Sequence, residues 1–391
     1  MRPKTIIMKR ISLVDSLRGF AVIGIIIIHF LEHLNFNVGP RATRFEQNLF
    51  ETVAFIGSSK MYAIFAILFG LSCYIQHHNQ EKKGIDFRPR FAWRMFLLFV
   101  WGVIDLVFFN GDILCVYAVL GLLLIPLVKA SDRVLGVIAG MLAVQPIELY
   151  YVIHGLIDPT LPTIDVGLGD CWSNIHEACA NGSFLDVALA NLTYGLRINF
   201  GWAAENGRLT QTFLLFVVGL LLGRRHLFFD EPHFRRRWKH LAIYALLAFG
   251  VFQVYLSFLP AFGELISASP TVMRALKILI TSWRNLSMTA FYISAFYLLY
   301  YGSRRAHALL KHLATIGRMS LTSYLAQSIV GAFIFYNWGL GLYRTCGHNK
   351  SLILSFIFLA ALYVFCRWWA KHHRRGPVEE LWARATWFGK H

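Results

Sequence analysis

Hydrophobic residues are concentrated in ten stretches of this chain, and polar loops separate one stretch from the next. The stretches cover residues 20–36, 53–75, 93–109, 113–128, 134–154, 209–223, 241–259, 276–301, 313–338 and 352–370. Each is about long enough to cross ~30 Å of hydrocarbon at a helical rise of ~1.5 Å per residue. The pattern therefore predicts an all-α fold, a polytopic integral membrane helical bundle of about ten transmembrane helices.

Basic residues occur mainly in alternate loops, which predicts the orientation of the bundle. They are Arg2, Lys4, Lys9, Arg10 and Arg18 before the first stretch; Lys82, Lys83, Arg88, Arg90 and Arg94 after the second; Lys129 and Arg133 after the fourth; Arg224, Arg225, Arg235, Arg236, Arg237 and Lys239 after the sixth; Arg304, Arg305 and Lys311 after the eighth; Lys371, Arg374 and Arg375 after the tenth. Because Lys and Arg near the ends of spans resist translocation, these loops are expected on one side of the membrane. Both termini are then cytoplasmic, in a plasma membrane that would be the inner membrane of a bacterial cell.

The formal net charge of +17 follows from the same arrangement. Cytoplasmic basic loops also attract anionic lipid headgroups, so membrane lipids are the expected partners and no nucleic acid is needed to explain the charge. The 391 residues contain no Gly/Ser/Pro-rich linker, which favours a single membrane domain. Within it, residues 1–154 form the first five helices, 155–208 an outer loop and 209–391 the last five helices.

The loop at 155–208 is polar and contains Pro159 and Pro162, and we expect it to cover the outer mouth of the bundle. Cys171 and Cys179 lie in this loop, where an oxidising compartment would allow a disulfide; two free thiols are the alternative. No CxxC pair or Cys/His spacing typical of a metal site occurs, so no metal is expected.

Charged or titratable residues inside membrane spans are costly, and this makes them the first candidates for function. Arg18 and His29 are eleven residues apart, which is three helical turns, or about 16 Å along one face of a helix. This spacing places a cation near the cytoplasmic mouth and an imidazole deeper, toward the outer side. A snorkelling arginine and a polar histidine at a helix end are the structural alternative.

Three further candidates belong to the outer half of the bundle. Lys60 would pair with an acid, meet an anionic ligand or snorkel to the headgroups. Asp105 lies late in the third stretch, where pairing with Lys60 would compensate its charge. Asp112 opens the fourth stretch, and capping of a helix N-terminus is its structural alternative.

In the second half of the chain, Arg284 falls inside the eighth stretch, and Arg318 begins the ninth. Gln327 lies on a stripe of Ser, Thr and Gln that follows Arg318. Such stripes hold membrane helices together or line polar pathways. GxSxG, HExxH, Walker and dinucleotide-binding signatures are missing from the sequence, so it lacks the marks of soluble hydrolases, zinc proteases and nucleotide-binding folds.

Several segments, in order along almost the whole chain, resemble the YeiB-like membrane protein family. They are 13–24 (LVDSLRGFAVIG), 60–61 with 68–70, 111–114 (GDIL) with 117–118, 317–328, 339–343 and 376–382. That family is grouped with the transmembrane acyltransferase superfamily, which holds glycan O-acyltransferases and the lysosomal glucosamine N-acetyltransferase. The resemblance implies transfer of an acyl group from cytoplasmic acyl-CoA to a glycan, lipid or small-molecule acceptor.

The Arg18-x10-His29 spacing is similar to the Arg/His pair of the O-acyltransferase branch, in which the arginine engages acyl-CoA and the histidine is catalytic. By this resemblance His29 would be a general base. Asp105 or Asp112 would orient its ring, and Lys60 would stabilise the oxyanion. Two positions depart from the family: its pattern often has Asn where His29 stands and His where Asp105 stands. Further binding candidates are Arg284, Arg318 and Gln327.

Two other functions remain open on the sequence. Arg18, Lys60, Asp105 and Arg284 would also suit a transporter or translocase of an anionic solute or lipid, and a non-catalytic membrane scaffold would tolerate changed catalytic positions. The acyltransferase interpretation implies acyl-CoA and an unknown acceptor as partners, and it is compatible with a homo-oligomer.

Overall fold

The computed structural model describes residues 11–36, 41–266 and 268–387, and the regular secondary structure in these ranges is helical. The helices are α1 Ser12–Ile28, α2 Arg44–Gly57, α3 Lys60–Glu81, α4 Phe87–Leu106, α5 Leu114–Leu122, α6 Leu124–Leu127, α7 Asp132–Ala143, α8 Pro146–Ile157, α9 Gly169–Asn181, α10 Phe184–Glu205, α11 Arg208–Arg224, α12 Pro232–Leu265, α13 Pro270–Gly302, α14 Arg304–Leu310, α15 Leu313–Arg318, α16 Ser320–Phe335, α17 His348–His372 and α18 Pro377–Trp387. A π-helical turn, His29–His33, follows α1, and a 3₁₀ turn, Leu342–Arg344, precedes α17. Arg2, Lys4, Lys9 and Arg10, which contributed to the predicted orientation, lie outside the described residues.

Four helical segments in the described ranges are long and apolar enough to cross a membrane. They are Ser12–Glu32, Arg44–Glu81, Pro232–Leu265 and His348–His372. The number rises to six if α7 with α8, bent by 43°, and α10 with α11, bent by 80°, each form one span. The all-helical class is therefore confirmed, whereas ten crossings, two cytoplasmic termini and the division at 154 and 208 stay predictions.

Helix α12 shows the character of a lipid-facing surface. Only 6% of its apolar window is buried inside the protein. Its exposed side chains include Ile243, Leu247, Val254 and Phe258. An apolar surface of this length has no stable place in water, so the protein is a membrane protein.

Helix α1 lies at the centre of the bundle, and glycines allow its neighbours to approach closely. A Cβ added at Gly19 would lie 2.0 Å from the carbonyl oxygen of Leu313 in α15. A Cβ added at Gly317 would lie 1.9 Å from the carbonyl oxygen of Asp15. Small residues at both positions therefore bring the backbones of α1 and α15 into contact.

Four predicted spans are divided in the structure: the second between α2 and α3, the fifth between α7 and α8, and also the fourth and the ninth. The fourth stretch forms α5, of nine residues, and the four-residue α6. The ninth breaks at Met319 into α15 and α16, and the carboxylate of Glu379 accepts hydrogen bonds from the amides of Leu321 and Thr322, at 2.8 and 3.1 Å. The glutamate satisfies amides that the break leaves without helical partners. Hydrophobicity predicted the apolar stretches, but the break depends on a residue far away in the chain.

Candidate functional site

His29 begins the π-helical turn that follows α1. Helix α1 ends at Ile28, and the amide of Leu34 donates to the carbonyl of His29 at 2.8 Å. A π turn inserts one residue into the helix and is frequent at functional sites. The His29 side chain stands at the end of α1 and is fully buried.

The imidazole of His29 contacts two polar side chains from distant parts of the chain. Gln327 Nε2 lies 2.8 Å from Nδ1, and the Tyr62 hydroxyl forms a short hydrogen bond with Nε2. Phe109 and Tyr324 pack beside the ring, with centroid distances of 5.0 and 5.9 Å. The fold therefore unites two predicted candidates, His29 and Gln327, and adds Tyr62.

The amide of Gln327 can meet Nδ1 with either of its two ends. With the nitrogen facing the ring, Nδ1 accepts, and the buried Gln327 Oε1 has no hydrogen-bond partner among the described residues. With the amide rotated by 180°, Oε1 accepts from Nδ1–H, and Nε2 of His29 accepts from the Tyr62 hydroxyl. Each arrangement leaves one buried end of the Gln327 amide unpaired among the described residues, Oε1 in the first and the NH2 group in the second, so hydrogen bonding alone allows both. In the second arrangement Nε2 of His29 is the basic atom and faces Tyr62.

Tyr62 also lines a cavity of about 410 Å³, and His29 lies behind it. Helices α9 and α10 of the predicted outer loop supply Trp172, His176 and Trp202 to the wall, so this loop covers the cavity. A volume in this range suits a small-molecule substrate. The tyrosine therefore connects the buried imidazole with the space that a substrate would occupy.

Asp112 lines the cavity and caps α5. Its two carboxylate oxygens accept hydrogen bonds from the amides of Leu114 and Cys115, each at 2.9 Å. Asp105 is fully buried, and Asp112 and Ser328 lie beside it. The cap that Asp112 forms on α5 is the structural alternative that the sequence left open for this residue. The amide of Gln327 holds the His29 ring where a carboxylate was expected.

Lys60 and Arg284 lie beside the cavity but do not line it. Lys60 donates to the carbonyl of Phe55 at 2.6 Å, so the pairing with Asp105 that the sequence allowed is not observed. Lys60 Nζ and Arg284 Cζ lie 5.3 and 5.7 Å from the centroid of the Phe55 ring. Arg208, which the sequence did not single out, lines the cavity near them.

Arg18 and Arg318 meet at the opposite end of α1 from His29. Arg18 lies 3.2 Å from Asp15 and donates to Ser72 at 3.1 Å, while Arg318 lies 3.7 Å from the second oxygen of Asp15. The side chains of Arg18 and Arg318 are 20% and 49% exposed, so both can be reached from outside the bundle. Arg18 and Arg318 thus lie at one end of α1, and His29 and Gln327 lie at the other.

Helix α9 carries both cysteines of the covering segment. Cys171 and Cys179 are buried free thiols two turns apart, which leaves the disulfide unformed. Burial raises the pKa of Cys179 to about 12. His176 stacks on Phe36 at 5.4 Å, and partial burial lowers its pKa. No group of three or more His, Cys, Asp or Glu that could hold a metal ion occurs in the described part of the chain.

Two family matches meet at this site. Residues 10–156, which include His29 and Tyr62, match the family described as "Heparan-alpha-glucosaminide N-acetyltransferase, catalytic". Residues 222–389, which include Gln327 and Arg318, match the family described as "Protein of unknown function (DUF418)". The contact between His29 and Gln327 therefore joins the two matched segments.

Two bacterial proteins are similar to this chain along nearly its whole length. "Uncharacterized protein YxaH" of Bacillus subtilis is 27% identical, with 98% of this chain and 96% of the relative covered. "Uncharacterized protein YeiB" of Escherichia coli is 25% identical, with 97% of each chain covered.

Proposed function

Because the chain is similar to YeiB along nearly its whole length and its first part is acyltransferase-like, we propose that this YeiB-like membrane protein transfers an acyl group from acyl-CoA to an acceptor bound in the cavity. The observation that carries the proposal is the hydrogen-bonded chain from Gln327 through His29 to Tyr62, which ends at the cavity wall. A buried imidazole fixed on one side and linked to a substrate-sized space on the other is suited to general base catalysis.

In the proposed reaction, an acceptor hydroxyl or amine lies at Tyr62. Its proton passes to the Tyr62 oxygen as the tyrosine proton moves to Nε2 of His29. The acceptor oxygen or nitrogen forms a bond to the thioester carbonyl carbon, and the carbon–sulfur bond breaks. The CoA thiolate leaves and takes up one proton, which restores neutral His29. Gln327 keeps the ring oriented, as a positioning residue.

The donor would bind at the other end of α1. Arg18 and Arg318 supply guanidinium groups suited to the phosphates of acyl-CoA, and Asp15 holds both in place. Three turns of helix, about 16 Å, separate Arg18 from His29, a distance that the pantetheine arm would span. This arrangement requires the Arg18 end to face the cytoplasm, consistent with the ten-span orientation and a bacterial inner membrane.

Asp105 and Asp112 would act by charge. Both are electrostatic neighbours of Tyr324, whose ring packs beside His29. Their carboxylates would stabilise the imidazolium that forms during proton transfer, without a direct hydrogen bond. Lys60, at the start of the helix that carries Tyr62, would contribute positive potential toward the oxyanion.

A transporter of an anionic solute is the second candidate. The observation that favours it is the group of Lys60, Arg208 and Arg284, which lie close together near the cavity. Uptake of an anion by purified protein in liposomes without acyl donor would support this function over acyl transfer.

The first experiment measures acetyl-CoA binding and release of the CoA thiol, with a membrane extract as the acceptor source. We expect Arg18→Ala to lose acetyl-CoA binding, and His29→Ala to keep binding but lose acceptor-dependent CoA release. Arg88→Ala is a matched control, because Arg88 also pairs with a nearby aspartate, Asp86 at 3.0 Å, and lies away from both groups. Acyl transfer retained by folded His29→Ala, or a wild-type protein that binds no acetyl-CoA, would overturn the proposal.

A further inference from the structure

Three basic side chains lie together beside the cavity without an acidic partner in contact. The side chain of Lys60 is buried, and its electrostatic neighbours are Arg284 and Arg208. Within the described residues, no carboxylate oxygen lies within 4.0 Å of the charged nitrogens of these three side chains. Charges of one sign in a membrane interior are costly unless they are compensated.

Their hydrogen-bond partners are neutral. Arg208 donates to Gln211 at 2.7 Å and to the hydroxyl of Ser59. Arg284 donates to Gln253 at 3.1 Å, and its buried Nε has no partner in the described part of the chain. Neutral acceptors satisfy N–H groups, but they leave the positive charge uncompensated.

The backbone beside these residues also favours an anion. Ser59 has a φ of 69°, a left-handed conformation that is costly for a residue other than glycine. It interrupts the chain between α2 and α3, and no side chain caps the first amides of α3. Ser58, Ser59 and Arg208 all line the cavity, so the positive end of a 22-residue helix and a guanidinium face the same space.

One carboxylate lines this part of the wall. Glu32 accepts a hydrogen bond from Ser58 at 3.3 Å and is an electrostatic neighbour of Arg208. One acid beside three bases leaves an excess of positive charge.

We propose that Ser59, Lys60, Arg208 and Arg284 form a binding site for a phosphate ester, with Arg208 and the start of α3 contacting the phosphate oxygens and Lys60 and Arg284 supplying potential from behind. Arg208 and Tyr62 are electrostatic neighbours, so the bound phosphate lies near the proposed reaction centre. If the proposed function holds, on which this step rests, the acceptor is a phosphate-bearing molecule whose hydroxyl or amine reaches Tyr62.

The test measures binding without any acyl donor, so that its outcome is independent of acyl transfer. Glycerol 3-phosphate is the soluble probe, and its binding to purified protein is followed by calorimetry. The lipid probe is phosphatidylglycerol in phosphatidylcholine nanodiscs, with retained lipid counted by native mass spectrometry. Binding of the soluble probe supports a soluble phosphate ester, and retention of phosphatidylglycerol alone supports a lipid headgroup.

Arg208→Gln should lower the affinity for the bound probe by about tenfold or more, since one charge-assisted hydrogen bond contributes about 1.5–3 kcal/mol. Arg208→Lys should give an intermediate loss, because the charge stays while the planar fork is removed. Lys277→Gln is the matched control: Lys277 is exposed and lies two turns before Arg284 on α13.

Two outcomes would overturn the site: neither probe binds the folded wild-type protein, or Arg208→Gln binds as tightly as Lys277→Gln. If Arg208→Gln does not fold, Arg284→Gln replaces it with the same expectation of weaker binding. Phosphate binding in a protein without acyl transfer would leave this site in place and refute only the catalytic proposal. Acyl transfer without phosphate binding would refute the phosphate site and leave the catalytic proposal in place.

Discussion

Replacing Tyr62 by phenylalanine removes the hydroxyl that connects His29 with the cavity and keeps the aromatic ring in place. The phenylalanine ring would still fill the space between the imidazole and the cavity, so acetyl-CoA binding at Arg18 and Arg318 should not change. The proton of the acceptor would have no path to Nε2 of His29. We therefore expect Tyr62→Phe to slow transfer and leave donor binding intact.

The size of both effects follows from the contacts. Loss of assisted proton transfer typically lowers a rate by about 10²–10⁴, or about 2.7–5.4 kcal/mol in the activation barrier. Stability should fall by about 1–3 kcal/mol, because the buried Nε2 of His29 loses its hydrogen-bond partner. The kinetic effect should therefore exceed what the loss of stability explains.

The assay is acceptor-dependent release of the CoA thiol, measured with acetyl-CoA binding and thermal unfolding on the same preparations. Tyr297→Phe is the control for stability. Tyr297 is fully buried, its hydroxyl donates to the carbonyl of Phe229 at 2.6 Å, and it lies outside the cavity lining. Folded Tyr62→Phe that transfers acyl groups within about threefold of the wild-type rate would refute the role given to this tyrosine.

Three further predictions concern packing, pH and thiol reactivity. Gly19→Ala should destabilise the contact with α15 by about 1–3 kcal/mol, because the added Cβ would overlap the carbonyl oxygen of Leu313. Gly140→Ala is the control in thermal unfolding and should be neutral or slightly stabilising, because its Cβ meets no atom within 4 Å. His176→Gln should reduce the loss of melting temperature between about pH 7.5 and 5.5. The pKa of His176 is lowered in the folded protein, so below the unfolded-state value of about 6.5 the unfolded state binds the proton more readily and stability is lost as pH falls. Cys179, with its pKa raised to about 12, should react with maleimide at neutral pH only after unfolding.

Each of these three predictions would be contradicted by a specific measurement. Equal melting temperatures for the two glycine variants would show that α1 and α15 do not pack through Gly19. A His176→Gln profile parallel to that of the wild type would mean that this histidine titrates alike in folded and unfolded protein. Rapid labelling of Cys179 in the native state, or a mass change on reduction, would contradict two buried free thiols in α9.

The lipid-facing helices and the position of His29 could be predicted from the sequence, since both depend on local properties. About twenty apolar residues in a row are long enough to cross hydrocarbon, and a titratable residue among them is unusual enough to indicate function. Helix α12 and the histidine at the end of α1 illustrate these two signals. Local patterns could not show that α5 is a short buried helix or that α16 begins at a cap provided by Glu379.

The partners of His29 were decided by tertiary structure. Gln327 is separated from His29 by 298 positions and Tyr62 by 33, and neither separation is marked by any periodicity in the sequence. Asp112 had two possible roles until its distances to the amides of α5 showed the cap. Arg208 was not a candidate in the sequence because it is the last residue of the predicted outer loop. Only the packing of the helices brings it beside Lys60. Apolar length and hydropathy act along one helix and determine the class of protein, whereas hydrogen bonds and charge neighbours act between helices and exist only once the bundle has packed.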